Sequence, residues 1–218
     1  MLLDALGTLV ALEPPAPRLR EALRELAGVE ITLEDAERAF AAEIGHYLAN
    51  HMRGGDPEGL RRLREECAEV MRSALPGPAL GHAVVHRAML DALSFVAFPD
   101  AAPALRELRG RGLALVVVSN WDCSLPEWLE RAGLSGLLDG AVSSAAAGEA
   151  KPGSAPFHAG LQIAGVAPAE AVHVGDSWES DVEGARAAGI RAVLVTRGLD
   201  PPAGVESVNS LEQLPSLL

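Results

Sequence analysis

Cysteine and aromatic residues are scarce in this chain of 218 residues. Its two cysteines, Cys67 and Cys123, are too few for a disulfide framework and lack zinc-ligand spacing. A cytoplasmic location, where thiols stay reduced, is therefore expected. Phe, Trp and Tyr make up only 4% of the chain, which leaves few side chains on which nucleic-acid bases could stack.

Positive charge is also in deficit, because 18 basic residues stand against 30 acidic ones for a formal net charge of −12. Such a chain repels phosphate backbones, so we expect no nucleic-acid partner. No apolar run approaches the length of about 20 residues that crosses a bilayer, and Asp4 interrupts the first apolar stretch, unlike a signal peptide. We expect the protein to bind a small-molecule substrate and not a membrane. It is expected to be a monomer or a homodimer.

Residues from 97 onward alternate short β-branched runs with amphipathic helical patterns. Near-continuous apolar strands between helices are typical of a parallel sheet covered on both faces. The predicted fold class is therefore α/β, with a doubly wound, Rossmann-like parallel sheet. The predicted strands are 113–118, 140–143, 171–174, 191–196 and 205–208, and the predicted helices are 102–109, 125–132, 155–164, 179–188 and a last one from Ser210.

Residues 14–94 have helical patterns and almost no strand signal, with predicted helices at 21–27, 33–49, 57–75 and 79–93. This segment follows directly on the first apolar stretch, residues 1–10. We therefore predict a helical cap of residues 14–94 inserted into a core of residues 1–13 and 95–218. Only three residues precede Asp4, whereas a strand usually has about five or six, so either the first strand is short or the true start lies upstream of Met1.

Polar residues stand where the predicted strands end: Asp4, Ser119 with Asn120, Lys151, and Asp176 followed by Asp181. In an open parallel sheet, ligands bind beyond the carboxyl ends of the strands, so these side chains are expected to converge. Carboxylates, a hydroxyl and an ammonium together suit a phosphate group and a divalent cation. Lys151 is also the only lysine beside seventeen arginines, which suggests chemistry that a planar guanidinium cannot perform.

Each of these residues also has an ordinary structural interpretation. Asp4 could cap a turn, Ser119 could cap a helix, and Asp176 and Asp181 could be carboxylates at a helix entry. For any one residue taken alone, the structural interpretation is the commoner one. Their joint occurrence at successive strand ends favours a shared functional site.

In order and spacing, these segments resemble the four motifs of the haloacid dehalogenase superfamily of hydrolases, and the helical insert is similar to the alpha-helical, C1-type cap of one large branch. The motif residues are Asp4-Ala5-Leu6-Gly7-Thr8-Leu9, then Ser119, then Lys151 before Pro152, then Gly175-Asp176-Ser177-Trp178-Glu179-Ser180-Asp181.

The resemblance implies catalytic roles for three residues. Asp4 would be the nucleophile that forms a covalent aspartyl intermediate, which splits one difficult displacement into two easier steps. Ser119 would donate a hydrogen bond to a phosphoryl oxygen, and Lys151 would place a positive charge against the nucleophile and the transferred group. Four other residues are expected to contact substrate, namely Gly7 through the backbone, Thr8, Asn120 and Arg18 of the cap. Mg²⁺ would be held by Asp4, the backbone carbonyl of Leu6, Asp176 and, through water, Asp181.

The first motif departs from the phosphatase pattern at Leu6. Phosphatases of the family usually carry an aspartate here that protonates the leaving alcohol and activates water, help that is worth roughly 10²–10⁴ in rate. Without it, a phosphatase is expected to prefer acidic leaving groups, as in aryl or acyl phosphates.

Dehalogenases of the family share this gap, since a halide needs no proton, but they lack the metal-binding Gly-Asp that Gly175-Asp176 provides here. The first hypothesis is thus a Mg²⁺-dependent phosphatase of a small phosphorylated metabolite. The alternatives are a metal-independent 2-haloacid hydrolase and a degenerate member that only binds an anion.

Overall fold

The structure is a computed structural model that describes residues 1–77 and 80–217. Within these residues the chain forms eight strands: β1 (Leu2–Leu3), β2 (Val10–Leu12), β3 (Phe95–Ala97), β4 (Val116–Ser119), β5 (Gly140–Ser143), β6 (Val172–Gly175), β7 (Arg191–Val195) and β8 (Ser207–Val208). The α-helices are α1 (Pro15–Ala27), α2 (Leu33–Asn50), α3 (Pro57–Ala74), α4 (His82–Ala92), α5 (Ala101–Gly110), α6 (Leu125–Arg131), α7 (Ser144–Ala147), α8 (Ala155–Ala164) and α9 (Gly184–Ala187).

Six of the strands form one parallel sheet in the order β5-β4-β1-β6-β7-β8. Strand β1 lies inside it, with Leu3 paired to Val117 on one side and to Val174 on the other. Residues just after β1, β4 and β6 therefore meet at one edge of the sheet. The predicted α/β class with a Rossmann-like parallel sheet is confirmed.

Helices cover both faces of this sheet because neighbouring strand residues point to opposite sides. Leu3 joins the apolar cluster that contains Leu105 and Leu108 of α5, whereas Leu2 joins the cluster that contains Phe157 and Leu161 of α8. The strands are buried on both sides, which explains why they are apolar without alternation.

Helices α1 to α4 pack around an apolar cluster of their own, which includes Leu19, Phe40, Leu63 and Met89. The predicted start of the last of these helices, Ala79, lies outside the described residues; the helix is described from His82. The cap boundaries at 13/14 and 94/95 stay a prediction. In the described part of the chain, no helix is both long and apolar enough to cross a membrane.

The first apolar stretch, 1–10, contributes to two short strands. It forms β1, then a turn, then β2, which pairs with β3 in an antiparallel ribbon from Val10–Ala97 to Leu12–Phe95. The turn is closed by hydrogen bonds from the Leu9 and Val10 amides to the Ala5 carbonyl, at 2.8 and 2.9 Å. The two strands of the ribbon join helices α1 to α4 to the sheet.

Several element boundaries also differ from the predictions. Helix α1 begins at Pro15 rather than Glu21, because proline is well tolerated in the first helical turn. The strand predicted at 113–118 is β4, which includes Ser119, and the strand predicted at 205–208 is only the two-residue β8. The tail predicted as a helix from Ser210 is 3₁₀ over Leu211–Ser216.

The helix predicted at 179–188 begins as a π-helix over Trp178–Glu183, and α9 follows it. The Val182 amide donates to the Ser177 carbonyl five residues back at 3.2 Å, which widens this turn. Asp181 lies inside the widened turn and is buried.

Candidate active site

The single lysine is the centre of a buried ionic cluster. Lys151 Nζ donates hydrogen bonds to Asp4 Oδ1 at 2.7 Å, to Asp181 Oδ1 at 2.6 Å and to the Val118 carbonyl at 2.8 Å. The lysine side chain is only 1% exposed. One ammonium thus bridges two buried carboxylates from opposite ends of the chain.

Ser119 contacts the same carboxylate oxygen. It is the last residue of β4, and its Oγ donates to Asp4 Oδ1 at 2.9 Å. Because β1 and β4 are adjacent parallel strands, Asp4 and Ser119 leave the sheet at the same edge. Two donors on Oδ1 fix the orientation of the Asp4 carboxylate.

Asn120 holds the backbone of Lys151 in place. Its side-chain oxygen accepts a hydrogen bond from the Lys151 amide at 2.7 Å, and its side-chain nitrogen donates to the Lys151 carbonyl at 2.9 Å. The predicted contact of Asn120 with substrate remains untested. In the structure its amide group serves to place the lysine.

Asp181 accepts hydrogen bonds on both carboxylate oxygens. Oδ1 accepts from Lys151 and from His173 Nε2, the latter at 2.9 Å, and Oδ2 accepts from the Ser177 amide at 3.0 Å. Gly175 must be a glycine here, since a Cβ on it would lie 2.1 Å from Asp181 Cγ. The π-helical turn therefore folds the carboxylate back over the end of β6.

Asp176 completes a group of three carboxylates. Oxygens of Asp4, Asp176 and Asp181 all lie within 4.8 Å of one another, and Asp176 is the exposed member. It also lies against the backbone of Gly7, which has a positive φ of +84°.

Burial and mutual charge control the ionisation of this group. Burial raises the pKa of Asp4, the Lys151 ammonium opposes this, and the charge of Asp181 adds to it. Burial alone would raise the pKa of Asp181, but the Lys151 ammonium and the His173 hydrogen bond outweigh it and hold that pKa well below its usual range. Partial burial of the carboxyl and the charges of Asp4 and Asp181 raise the pKa of Asp176 to about 7.

The donor set fits a hard divalent cation. Three carboxylates face one ammonium, so negative charge is in excess, and oxygen ligands are those that Mg²⁺ prefers. Asp4 and Asp176 are the best placed of them, because both oxygens of Asp181 already accept hydrogen bonds from the protein.

Of the residues predicted to bind substrate, Arg18 and Gly7 donate hydrogen bonds elsewhere in the chain and Thr8 is buried. Arg18 donates to the Ala92 and Asp91 carbonyls at the end of α4, at 3.2 and 3.3 Å. Thr8 is completely buried. The Gly7 amide donates to the Val10 carbonyl at 2.9 Å. Within the described residues no hydrogen bond joins Arg18 to the ionic cluster, so we leave it out of the proposed site.

Two structural features were not anticipated from the sequence. His173, a lone polar residue in the apolar strand β6, contacts Asp181, and that isolation was its only signal. Tyr47 of α2 donates to Asp122 Oδ2 at 2.9 Å and so links the helical segment to the loop after β4. This contact had no signal in the sequence, because Tyr47 and Asp122 are 75 residues apart.

Comparison with known proteins then identifies the family. The family model of the haloacid dehalogenase-like hydrolases matches residues 1–189. This chain belongs to the haloacid dehalogenase-like hydrolases. The resemblance inferred from the four motifs is confirmed at this level, while membership of the C1-type cap branch stays a prediction.

Curated relatives of this hydrolase cover it to different extents. It is 45% identical over 119 residues to the "Haloacid dehalogenase-like hydrolase domain-containing protein 3" of Bos taurus, a match that covers 54% of this chain and 47% of that protein. Over 186 residues it is 32% identical to the "Glyceraldehyde 3-phosphate phosphatase" of Methanopyrus kandleri, covering 82% of this chain and 75% of that protein. The chain spans less than half the length of the first of these.

Solved structures show the fold of this hydrolase. A "HAD phosphatase" from Thermococcus onnurineus has a TM-score of 0.66 at 24% identity, covering 99% of this chain and 95% of that one. A "2-Haloacid Dehalogenase" from Pseudomonas syringae pv. Tomato DC3000 has a TM-score of 0.68 at 23% identity, covering 99% and 96%. The backbone fold therefore does not distinguish the two chemistries.

Proposed function

We propose that this hydrolase is a Mg²⁺-dependent phosphatase of a small phosphorylated metabolite, with Asp4 as the nucleophile. The observation that carries the proposal is the buried Lys151 ammonium bridging Asp4 and Asp181, with the exposed carboxylate of Asp176 beside them. The relative named a glyceraldehyde 3-phosphate phosphatase, which matches most of the chain, supports a small phosphorylated substrate.

In the first step, a carboxylate oxygen of Asp4 attacks phosphorus. The bond between phosphorus and the leaving oxygen breaks, and the leaving group departs with the electron pair, so that Asp4 carries an acyl phosphate. Water then attacks phosphorus, the bond between phosphorus and the Asp4 oxygen breaks, and the Asp4 carboxylate is regenerated while both protons of the water stay with the released inorganic phosphate. Such covalent catalysis replaces one difficult displacement by two easier ones.

Lys151 and Ser119 stabilise negative charge on Asp4 and on the phosphoryl group in both steps. The Lys151 ammonium favours the ionised form of Asp4 against the effect of burial, and it then faces the transferred group. The Ser119 hydroxyl, which donates to Asp4 at 2.9 Å, is placed to donate instead to a phosphoryl oxygen. Mg²⁺, held by Asp4, Asp176 and the Leu6 carbonyl, with Asp181 acting through water, would supply positive charge against the phosphoryl oxygens.

Leu6 sets the substrate preference in this proposal. Its side chain is 45% exposed at the position where a proton-donating aspartate would stand. A hydrocarbon transfers no proton, so a leaving group of low pKa is favoured. Aryl and acyl phosphates should therefore be hydrolysed faster than alkyl phosphates.

Leu6 also favours a second candidate, metal-independent hydrolysis of a 2-haloacid, because a halide leaves without a proton. Asp176 counts against that candidate, since it adds a third carboxylate that the displacement of a halide does not need.

The decisive experiment is hydrolysis of matched aryl and alkyl phosphates with Mg²⁺ and with EDTA, beside a panel of 2-haloacids. We expect Mg²⁺-dependent release of phosphate that rises steeply as the pKa of the leaving group falls, and no halide. Halide release that persists in EDTA would overturn the proposal in favour of the second candidate. Stabilisation by phosphate without any turnover would indicate a binding protein.

Asp4→Asn is the matched test of the nucleophile, because it changes one atom of a buried side chain. We expect it to remove turnover while the protein still unfolds cooperatively. Full activity in this variant would overturn the role of Asp4.

A further inference from the structure

His173 is a buried polar residue that none of the four motifs includes. It lies between Val172 and Val174 in β6 and is fully buried. Its ring packs edge-on against Phe157, with centroids 5.0 Å apart and an interplanar angle of 89°. An apolar side chain would suit this environment, so the presence of an imidazole needs an explanation.

One ring nitrogen of His173 has a partner and the other has none. Nε2 lies 2.9 Å from Asp181 Oδ1, and because an ionised carboxylate only accepts, Nε2 carries the proton. Nδ1 is buried without a hydrogen-bond partner among residues 1–77 and 80–217. A buried acceptor without a partner destabilises the fold, and valine at this position would avoid that cost. The bond to Asp181 is therefore the feature that accounts for the histidine.

Three donors from separate segments hold the Asp181 carboxylate. They are His173 of β6, the Ser177 amide at the start of the π-helix, and Lys151 Nζ from the loop after α7. The Ser177 amide belongs to the backbone, and the His173 ring is held in place by its packing against Phe157. These two donors therefore fix the plane of the Asp181 carboxylate. The Lys151 ammonium is held by three acceptors, the Val118 carbonyl, Asp4 Oδ1 and Asp181 Oδ1, and His173 helps to fix the position of the last of these.

We propose that His173 is a positioning residue that acts through Asp181 to hold the Lys151 ammonium against Asp4. The inference rests on the proposed function, in which Asp4 is the nucleophile. Without His173, Asp181 would lose one of its two donors on Oδ1 and could rotate away, and the Lys151–Asp4 contact of 2.7 Å would become variable. Outer partners that orient active-site groups typically contribute about 10–100-fold to activity.

The test compares His173→Phe with His173→Gln. Phenylalanine keeps a planar ring against Phe157 but removes the donor, whereas glutamine keeps an N–H near the position of Nε2. With an aryl phosphate and Mg²⁺, we expect His173→Phe to lower kcat by about 10–100-fold with KM nearly unchanged. His173→Gln should recover most of that loss. Cooperative unfolding should first show that both variants are folded. Equal kcat values in the two would then overturn the role of the hydrogen bond.

A second readout needs no turnover. Nitrogen NMR of the imidazoles, with the His173 signals assigned by their loss in His173→Gln, should show a neutral ring protonated at Nε2. A proton on Nδ1 would overturn the inference. If the wild-type protein hydrolyses no phosphate at all, the proposed function fails and this role fails with it. If the wild type is active and the two His173 variants have equal kcat values, only the role of His173 is contradicted.

Discussion

Gly7 and Asp176 lie so close together that a Cβ on Gly7 would be 2.1 Å from Asp176 Oδ2. The contact joins the turn after β1 to the loop after β6, and so brings the first motif against the fourth. Two features thus require a glycine at position 7. One is this close contact, and the other is the φ of +84°, which residues with a side chain rarely adopt.

Gly7→Ala should therefore displace Asp176. We expect an activity loss of at least about tenfold, since displacement by even 1 Å is costly in an active site, and a free energy of unfolding lowered by about 1–2 kcal/mol from the strained φ. Gly28→Ala is the matched control, because Gly28 has a φ of +64° and a Cβ added there would meet nothing within 4 Å. It should lose stability but not activity, as measured by denaturant unfolding and initial rates. Equal activity losses would contradict the prediction.

Lys151→Met should leave Asp4 and Asp181 buried without their cation. Removing one partner of a buried ion pair costs about 3–5 kcal/mol, so we expect a free energy of unfolding lower by that amount at about pH 8. In the variant the folded-state pKa of both carboxyls should exceed the unfolded value. The folded state then binds more protons, and the deficit should shrink as the pH falls towards about 4.

The control for the lysine variant is Arg87→Met, which removes an exposed ion pair with Asp91. Such surface pairs contribute about 0–1 kcal/mol, so its effect should be small at every pH. A Lys151→Met deficit that did not change with pH would contradict this account of the cluster.

Asp176→Asn should remove an unfavourable charge when Mg²⁺ is absent. The folded-state pKa of Asp176, about 7, lies above its ordinary value of 3.8, so its contribution to stability is fully present below about pH 4 and is lost as the pH rises through 7. In EDTA at about pH 8, we expect the variant to be more stable than the wild type by about 1 kcal/mol or less, because solvent screens this exposed group. At about pH 4 the difference should vanish.

With Mg²⁺ present, the wild type should become more stable than Asp176→Asn. A cation that binds the folded wild type raises its melting temperature through mass action, and Asp176→Asn should lose most of that shift. Differential scanning calorimetry with EDTA and with Mg²⁺ measures both effects. An equal Mg²⁺ shift in the two proteins would show that Asp176 is not a metal ligand.

Tyr47→Phe should loosen the contact between the helical segment and the sheet. The tyrosine hydroxyl donates to Asp122 at 2.9 Å, and hydrogen bonds to charged groups are worth about 1.5–3 kcal/mol. We expect faster hydrogen exchange in His51–Gly54, which follows α2 and contacts the same loop through the 2.8 Å bond from the Cys123 amide to the Gly54 carbonyl. Ser124→Ala, which removes a different donor to Asp122, is the control and should leave that exchange unchanged.

The fold class and the convergence of five polar residues could be predicted from the amino-acid sequence alone; these residues are Asp4, Ser119, Lys151, Asp176 and Asp181. Both follow from local pattern: apolar runs of strand length between amphipathic helices indicate a parallel sheet, and the carboxyl ends of such strands meet at one edge. Lys151 could be singled out because it follows a predicted strand and is the only lysine beside seventeen arginines.

The contacts that hold those residues in place could not be predicted from the sequence. Asn120 holds the Lys151 backbone, Arg18 contacts the end of α4, and β2 pairs with β3 across the whole helical segment. His173 and Asp181 are close in sequence, yet a π-helical turn that no local pattern predicted brings them into contact. Each of these contacts depends on where distant or irregular backbone lies in three dimensions, and side-chain identity alone does not determine that position.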